Sequence, residues 1–359
     1  MIARRAITAV RRAAWARAPQ LASARALSDE PREAMEYDVV TVGAGPAGLA
    51  AAIRLKQLAM EKGEDLSVCV VEKGAEVGAH ILSGNVFEPR ALNELFPDWR
   101  DRAAPLDTAV SEDTFLLLSE KSSLALPNFL LPSELHNEGN YVISLGQLVR
   151  WLGEQAEELG IEVYPGFAAA EVLYHADGGV AGVATRDVGI AKDGSFKDSF
   201  ERGCELRARQ VCVCVCVCVS VPGPPRIVGN VAAACSDRRP HARAPCQTLF
   251  AEGCRGSCSE AVMKHFNLRD ESQPQTYALG LKEVWEVPEE KLTPGHVQHT
   301  LGWPLQSSLL DKTYGGGFIY HMAPNKILLG LVIGLDYENP YINPCVRGQS
   351  RRARALPPR

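Results

Sequence analysis

At 359 residues the chain is long enough for two domains with a sizeable core, and its 46% hydrophobic, 23% charged composition reads as soluble and globular. A formal net charge of −5 argues against a nucleic-acid partner, which would favour a basic face. No uninterrupted apolar run reaches the roughly 18 residues of a spanning helix, which leaves peripheral membrane attachment open.

The first thirty residues differ from the rest. They hold Arg4, Arg5, Arg11, Arg12, Arg17 and Arg25, with no acid before Asp29. Ile2, Ile7, Val10 and Trp15 lie between the arginines, so a helix here is basic and amphipathic. That pattern predicts a mitochondrial transit peptide over residues 1–30, with a disordered basic tail as the alternative. An organellar matrix is reducing, so the eleven cysteines do not read as a disulfide framework.

Next comes the segment YDVVTVGAGPAGLAAAIRLKQLAMEKGEDLSVCVVEK. Val39, Val40 and Val42 predict a short strand buried on both faces. Gly43, Gly45 and Gly48 follow as G-x-G-x-x-G, which serves a tight turn, approach of a pyrophosphate to the backbone, and close helix–strand packing. Good helix formers run from Pro46 to about Met60, with Gly63 as a stop. The N-terminus of that helix offers free N–H groups and a favourable dipole to a phosphate. A second strand, Ser67 to Val71, leads to Glu72, placed to accept hydrogen bonds from a ribose 2′-hydroxyl. The pattern predicts a Rossmann-like dinucleotide site; the acid disfavours NADP, and FAD and NAD stay undivided.

Past Glu72 come KGAEVGAHILSGNVFEPRALNELFPDW, GNYVISLGQLVRWLGEQAEELGIEVYPGFAAAEVLY, FERGCEL, TLFAEGC, PQTYALGLKEVWEV, GWPL, TYGGGFIYH and GLVIGLDYENPY. Together these closely resemble the electron transfer flavoprotein–ubiquinone oxidoreductase family, from about Tyr37 to Val211 and again from Thr248 to about Pro344. The resemblance implies an α/β fold, α+β overall. An FAD-binding domain of the glutathione-reductase type (37–211 and 248–280) would be interleaved with a quinone-binding domain (281–344), and a C-terminal iron–sulfur domain is missing. It implies electron transfer from reduced electron transfer flavoprotein through FAD and a [4Fe–4S] cluster to ubiquinone. The location would be the matrix side of the mitochondrial inner membrane. Carried over by position, the FAD contacts are Val40, Val42, Gly43, Ala44, Gly45, Pro46, Ala47, Gly48 and Arg54, with Glu72 and Lys73. Arg150, on a predicted helix Leu145–Leu159, is a further candidate beside the pyrophosphate, or else an exposed helical arginine. Glu252 and Gly253, after a predicted flavin-domain strand, are candidate flavin neighbours. The family's ubiquinone contacts fall on Gly315 and Gly316; without the family, Tyr314–Gly317 reads as a loop.

The family also dips one surface into the bilayer without spanning it, and the matching region is about 78–99. There Phe87, Ala91, Leu92, Leu95, Phe96 and Trp99 fall on one helical face. A core-facing amphipathic helix has the same pattern. No acid–base catalyst and no metal site is nominated. Cofactors supply this kind of redox chemistry, while the protein sets distance, access and potential. Cys254 and Cys258 lack the second pair a zinc site needs. Cys69, Cys204, Cys254 and Cys258 occupy no cluster-ligand position of the family, so the expectation is that this chain binds no [4Fe–4S] cluster.

Two segments do not fit. Between Val211 and Thr248 stand 36 residues, 212–247, that open on alternating Cys and Val, which is what a (GT)n repeat encodes. Joining Val211 to Thr248 restores ELRARQVTLFAEGC, so 212–247 reads as a retained intron forming a disordered insert in a strand. After Pro344 the chain becomes CVRGQSRRARALPPR, a non-family tail at 345–359. The alternatives to an active oxidoreductase are therefore a truncated, mis-spliced, non-catalytic product or another FAD-dependent oxidoreductase or monooxygenase. TYGGGF and GWPL count against the last.

Overall fold

The structure, a computed structural model, describes residues 31–82, 84–193, 195–208, 248–306, 312–340 and 342–344. The expected transit peptide (1–30), the segment 212–247 read as an insert and the 345–359 segment read as a non-family tail lie outside the described residues.

In chain order the first half contains strands β1 (Ala34–Tyr37), β2 (Val39–Val42) and β3 (Val68–Glu72), with helix α1 (Pro46–Glu61) between the last two. Then come β4 (Asn85–Phe87), α2 (Arg90–Leu95), β5 (Thr108–Ala109), β6 (Glu112–Leu118), β7 (Ser123–Leu126), β8 (Tyr141–Ile143), α3 (Leu145–Glu158) and β9 (Glu162–Pro165). β10 (Ala169–Tyr174), β11 (Val180–Thr185), β12 (Val188–Ile190), β13 (Phe196–Glu201) and β14 (Glu205–Ala208) follow. The last group is β15 (Thr248–Phe250), α4 (Ser257–His265), β16 (Ala278–Glu286), β17 (His296–Gly302), β18 (Gly315–Met322) and β19 (Lys326–Gly334).

The nucleotide unit is a parallel sheet of order β15-β2-β3-β9. All four residues of β2 and the first four of β3 are buried, as a sheet covered on both faces requires. On one face Val39, Val68 and Val70 meet Leu49 and Ile53 of α1, Leu148, Val149 and Leu152 of α3, and Leu92 of α2. On the other, Val40, Val42, Cys69, Val71 and Phe250 meet Val183 and Leu206 of a second sheet, β1-β14-β11-β10, and Val262 of α4.

The expected bilayer helix is in this core. Leu92, Phe96 and Trp99 are each at most 4% exposed. Phe96 makes an edge-on contact with Trp151 at 5.5 Å, and Trp99 Nε1 donates to Asn93 Oδ1 at 2.7 Å. The helix itself is only six residues, Arg90–Leu95. Leu92, Phe96 and Trp99 of the predicted apolar face thus pack into the core, whereas Ala91 is exposed.

A third sheet, β16-β19-β18-β17-β6-β7, is antiparallel except where β17 runs parallel to β6. β6 and β7 come from early in the chain, so the two units are interleaved as expected. Its inner face packs Val297, Tyr320 and Leu328 on Val142 of the small β4-β8-β5 sheet, which joins it to the nucleotide unit.

The strand flanks speak to the insert. β1 pairs in parallel with β14 and β2 with β15, with Tyr37 opposite Ala208 and Val40 opposite Thr248. Tyr37 and Val40 are three positions apart, whereas Ala208 and Thr248 are forty apart, an excess within one residue of the length of 212–247. β14 and β15 are thus two halves of one strand track laid beside β1–β2. Removing 212–247 shortens the connection from 39 residues to three. Loop-closure entropy then favours folding by about 2 kcal/mol. Denaturant unfolding of the shortened chain should show that gain; equal or lower stability would count against the continuous-track reading.

Candidate functional site

The turn from β2 to α1 is built around three glycines with three different needs. Gly43 has φ +101°, and a Cβ there would stand 2.5 Å from the carbonyl oxygen of Ala251. A Cβ at Gly48 would run into the carbonyl oxygen of Gly43, so this glycine lets α1 seat on its own turn. Gly45 is different: nothing lies within 4 Å of the place a Cβ would occupy. It caps α1 with no side chain bonded to the helix end, Pro46 opens the helix, and the first turn holds no acid. Free N–H groups and a positive dipole end therefore face open space at Gly45.

Glu72 ends β3 next to this turn. Its Oε2 accepts from Ala44 N at 3.0 Å and its Oε1 from Gly74 N at 2.7 Å. Each carboxylate oxygen keeps a further lone pair, so the acid can brace the turn and still accept a hydroxyl. Gly253 lies just past β15 at φ +79°, with open space around it and its neighbour Glu252 against Gly43. Val42, Gly43, Ala44, Gly45, Pro46, Ala47, Gly48, Glu72 and Gly253 are thus gathered at the carboxyl edge of the sheet, where such folds bind ligands, whereas Val40 lies further back along β2 with its side chain in the core.

Other candidates stand apart. Arg54 lies about 12 Å along α1 from Pro46, and its Nη1 reaches Glu61 and Gln57, both at 3.1 Å. Glu252 caps α4: its Oε2 accepts from Ser259 N at 2.6 Å and Ser259 Oγ at 2.8 Å. That carboxylate is engaged at a helix end. Lys73 is exposed. Arg150 pairs with Glu76 at 3.5 Å, tying α3 to the loop that leaves Glu72.

Tyr314 is 75% exposed, but Gly315 and Gly316 begin strand β18 and are not part of a loop. Gly315 is packed under Val332 and Leu305, while a Cβ at Gly316 would meet Thr300 O at 2.5 Å. Strand packing alone therefore demands glycine at both positions. Across the sheet Gly316 stands opposite Val332, and Val332 opposite Gly280, whose missing side chain leaves open space. Leu301 and Val332, 39% and 36% exposed, border this shallow apolar depression. Beside it on the same face Tyr320 hydroxyl meets His299 Nε2 at 2.8 Å, and burial with the charge of Asp113 raises the tyrosine pKa. Sequence reasoning missed this pair because strand alternation places it only once the register of β17 and β18 is known. On the opposite face a cavity of about 480 Å³ is lined by Leu116, Leu118, Gln298, Thr300, Trp303 and Ile319.

The comparisons with known proteins match this layout. Residues 277–356 fit the family model for the ETF-QO ubiquinone-binding domain, and residues 41–96 fit that for an NAD(P)-binding Rossmann-like domain. The first match overlaps the segment from Cys345 onward that reads as foreign by motif. The mitochondrial electron transfer flavoprotein–ubiquinone oxidoreductase of Dictyostelium discoideum is 54% identical over 314 residues, 88% of this chain and 45% of that protein. The Mus musculus protein of the same name is 50% identical over 87% of this chain and 44% of its own length. The chain belongs to the electron transfer flavoprotein–ubiquinone oxidoreductase family. It spans about half the length of the curated family members it matches. The fold is shared more widely. A geranylgeranyl bacteriochlorophyll reductase-like protein of Thermoplasma acidophilum superposes with a TM-score of 0.53 at 17% identity, over 90% of this chain and 62% of its own. The flavin-dependent brominase Bmp2 does so at 0.51 and 14%, with the same coverage.

Proposed function

We propose that this chain holds FAD at the Gly43–Gly48 turn and passes electrons from reduced electron transfer flavoprotein towards ubiquinone at the β16–β19 sheet. One observation carries the reading: an open phosphate-binding turn and a family-matched quinone domain stand in one interleaved fold. Gly45 would admit the pyrophosphate, the N-terminus of α1 would meet its charge, and Glu72 would take the adenosine ribose. Bound there, FAD would accept electrons from one partner and release them to another. Ubiquinone would lie in the depression beside Gly316 and Gly280, where the missing side chain of Gly280 gives a ring access to backbone. No residue of this chain is proposed as an iron–sulfur ligand.

The mitochondrial names of the relatives support a mitochondrial location, and a quinone substrate favours the inner membrane; the matrix side follows from the proposed donor. No described helix is long and apolar enough to cross a membrane. A different surface suits attachment. Residues 122–133, SSLALPNFLLPS, hold no charge, and Leu124, Phe129 and Leu130 are 60%, 82% and 65% exposed. This apolar rim of β7 and the turn after it replaces 78–99 as the proposed bilayer contact.

The test mixes the chain with excess FAD, reduced electron transfer flavoprotein and a short-tailed ubiquinone, and follows donor fluorescence and quinone absorbance. Quinone-dependent donor oxidation supports the reading. Flavin binding without any electron transfer would favour the non-catalytic alternative.

A further inference from the structure

Strand register aligns one row of side chains across the inner face of the six-stranded sheet. Lys282 stands opposite Gly330, Gly330 opposite Phe318, Phe318 opposite His299, and His299 opposite Phe115. The glycine decides what happens in this row. A Cβ at Gly330 would strike the Phe318 ring, so its absence lets that ring lie across the strand towards β16. Lys282 Nζ then stands 5.7 Å from the Phe318 ring centre, and it donates to the carbonyl oxygen of Gly84. Gly84 is buried, and a Cβ there would meet Lys282 Nζ at 2.6 Å. It belongs to the loop that leaves Glu72, passes Gly78 against Gly146 of α3, and returns as β4.

An ammonium is costly to place at such a seam, where a methionine would pack as well. Burial lowers the Lys282 pKa to about 8. Its surroundings nevertheless converge on the charge: a main-chain carbonyl from the nucleotide unit and a π face from the quinone unit. The location has a second property. A dinucleotide whose phosphates sit at Gly43–Gly48 and whose adenosine reaches Glu72 must send its other end over the carboxyl edge of the sheet. The loop that leaves that edge after Glu72 reaches this row at Gly84, and the Gly316–Gly280 depression is the next row along the same face.

We propose that Lys282 is a positioning residue for the flavin, holding a cation at the seam that balances the negative charge the ring gains on reduction. The role rests on the flavin reading above and specifies its electrostatics. When one electron from the reduced donor flavoprotein enters the ring, no bond forms or breaks and the ring charge falls by one. A fixed ammonium favours that state over the oxidised one, and passing the electron on to quinone restores the original balance. The other titratable groups on this face are Asp113, His299 and Tyr320, with Glu286 and Lys326 at the far end of the β16–β19 pair.

Two readouts test this on the whole chain. Competitive acetylation of Lys282, read by mass spectrometry over pH, should show half-maximal reactivity near pH 8, and saturating FAD should suppress it severalfold. Potentiometry of the FAD-loaded chain should show Lys282→Met favouring the oxidised ring about tenfold, which is about 59 mV for one electron. Lys282→Arg, which keeps the charge, should stay near the parent value. Should Lys282→Met not fold, Lys282→Arg and the acetylation of the parent chain still decide. FAD that binds without protecting Lys282, or a Lys282→Met potential equal to the parent's, overturns the lysine's role alone. A chain that takes up no FAD at saturating concentration overturns the flavin reading and this role with it.

Discussion

Gly45→Val is expected to leave the chain folded and to weaken FAD binding at least a hundredfold, about 2.7 kcal/mol. The site of the new side chain is empty protein-side space, so folding has little to oppose it. In the proposed complex that space belongs to the pyrophosphate, and a branched side chain would hold it off the helix N-terminus. Gly48→Ala is the contrast. Its Cβ meets the main-chain oxygen of Gly43, which cannot yield without unseating α1. The expected cost is about 3 kcal/mol of stability, with flavin binding lost alongside. FAD fluorescence titration and denaturant unfolding on both variants separate the two effects. Gly45→Val binding FAD as tightly as the parent would remove the phosphate from this turn.

The second large effect concerns the two apolar segments that compete for a bilayer role. Phe96→Ala should cost about 3–5 kcal/mol, because the ring is buried against Trp151 and under the Arg102 guanidinium. Vesicle binding per folded molecule should not change. The double substitution Phe129→Ser with Leu130→Ser should do the reverse. Both side chains are already in solvent, so stability should stay within about 0.5 kcal/mol. Partition into liposomes should fall tenfold or more, given about 1.5–3 kcal/mol for each large apolar side chain buried. Co-sedimentation with liposomes reads the binding. Equal binding by the double variant would clear residues 122–133 of this role.

These contrasts show where sequence reading succeeds. The β2–α1–β3 unit was legible almost to the residue because its determinants are local. Glycines at fixed spacing, a helix of good formers and two valine-rich strands each act within a few residues. Helix α3 was legible for the same reason. The 90–99 segment was only half legible. Its amphipathic face was plain, but periodicity says that a face is covered and not what covers it. Glu252 and Arg54 looked like cofactor neighbours from their place in the chain. Their side chains are committed elsewhere, one to the N-terminus of α4 and one to Glu61.

By itself, the sequence determined the dinucleotide turn and the family, since both are properties of residue order. Only the tertiary structure decided three other matters: that Phe96 and Trp99 are core, that Leu124, Phe129 and Leu130 are not, and that Lys282, Gly330 and Phe318 share one row. The physical reason is common to all three. Burial and cross-strand register depend on which distant strand lies alongside, and Lys282 meets Gly84 across 198 positions of chain. No local pattern encodes a contact of that separation; the pairing of β16 with β19, and of β19 with β18, does.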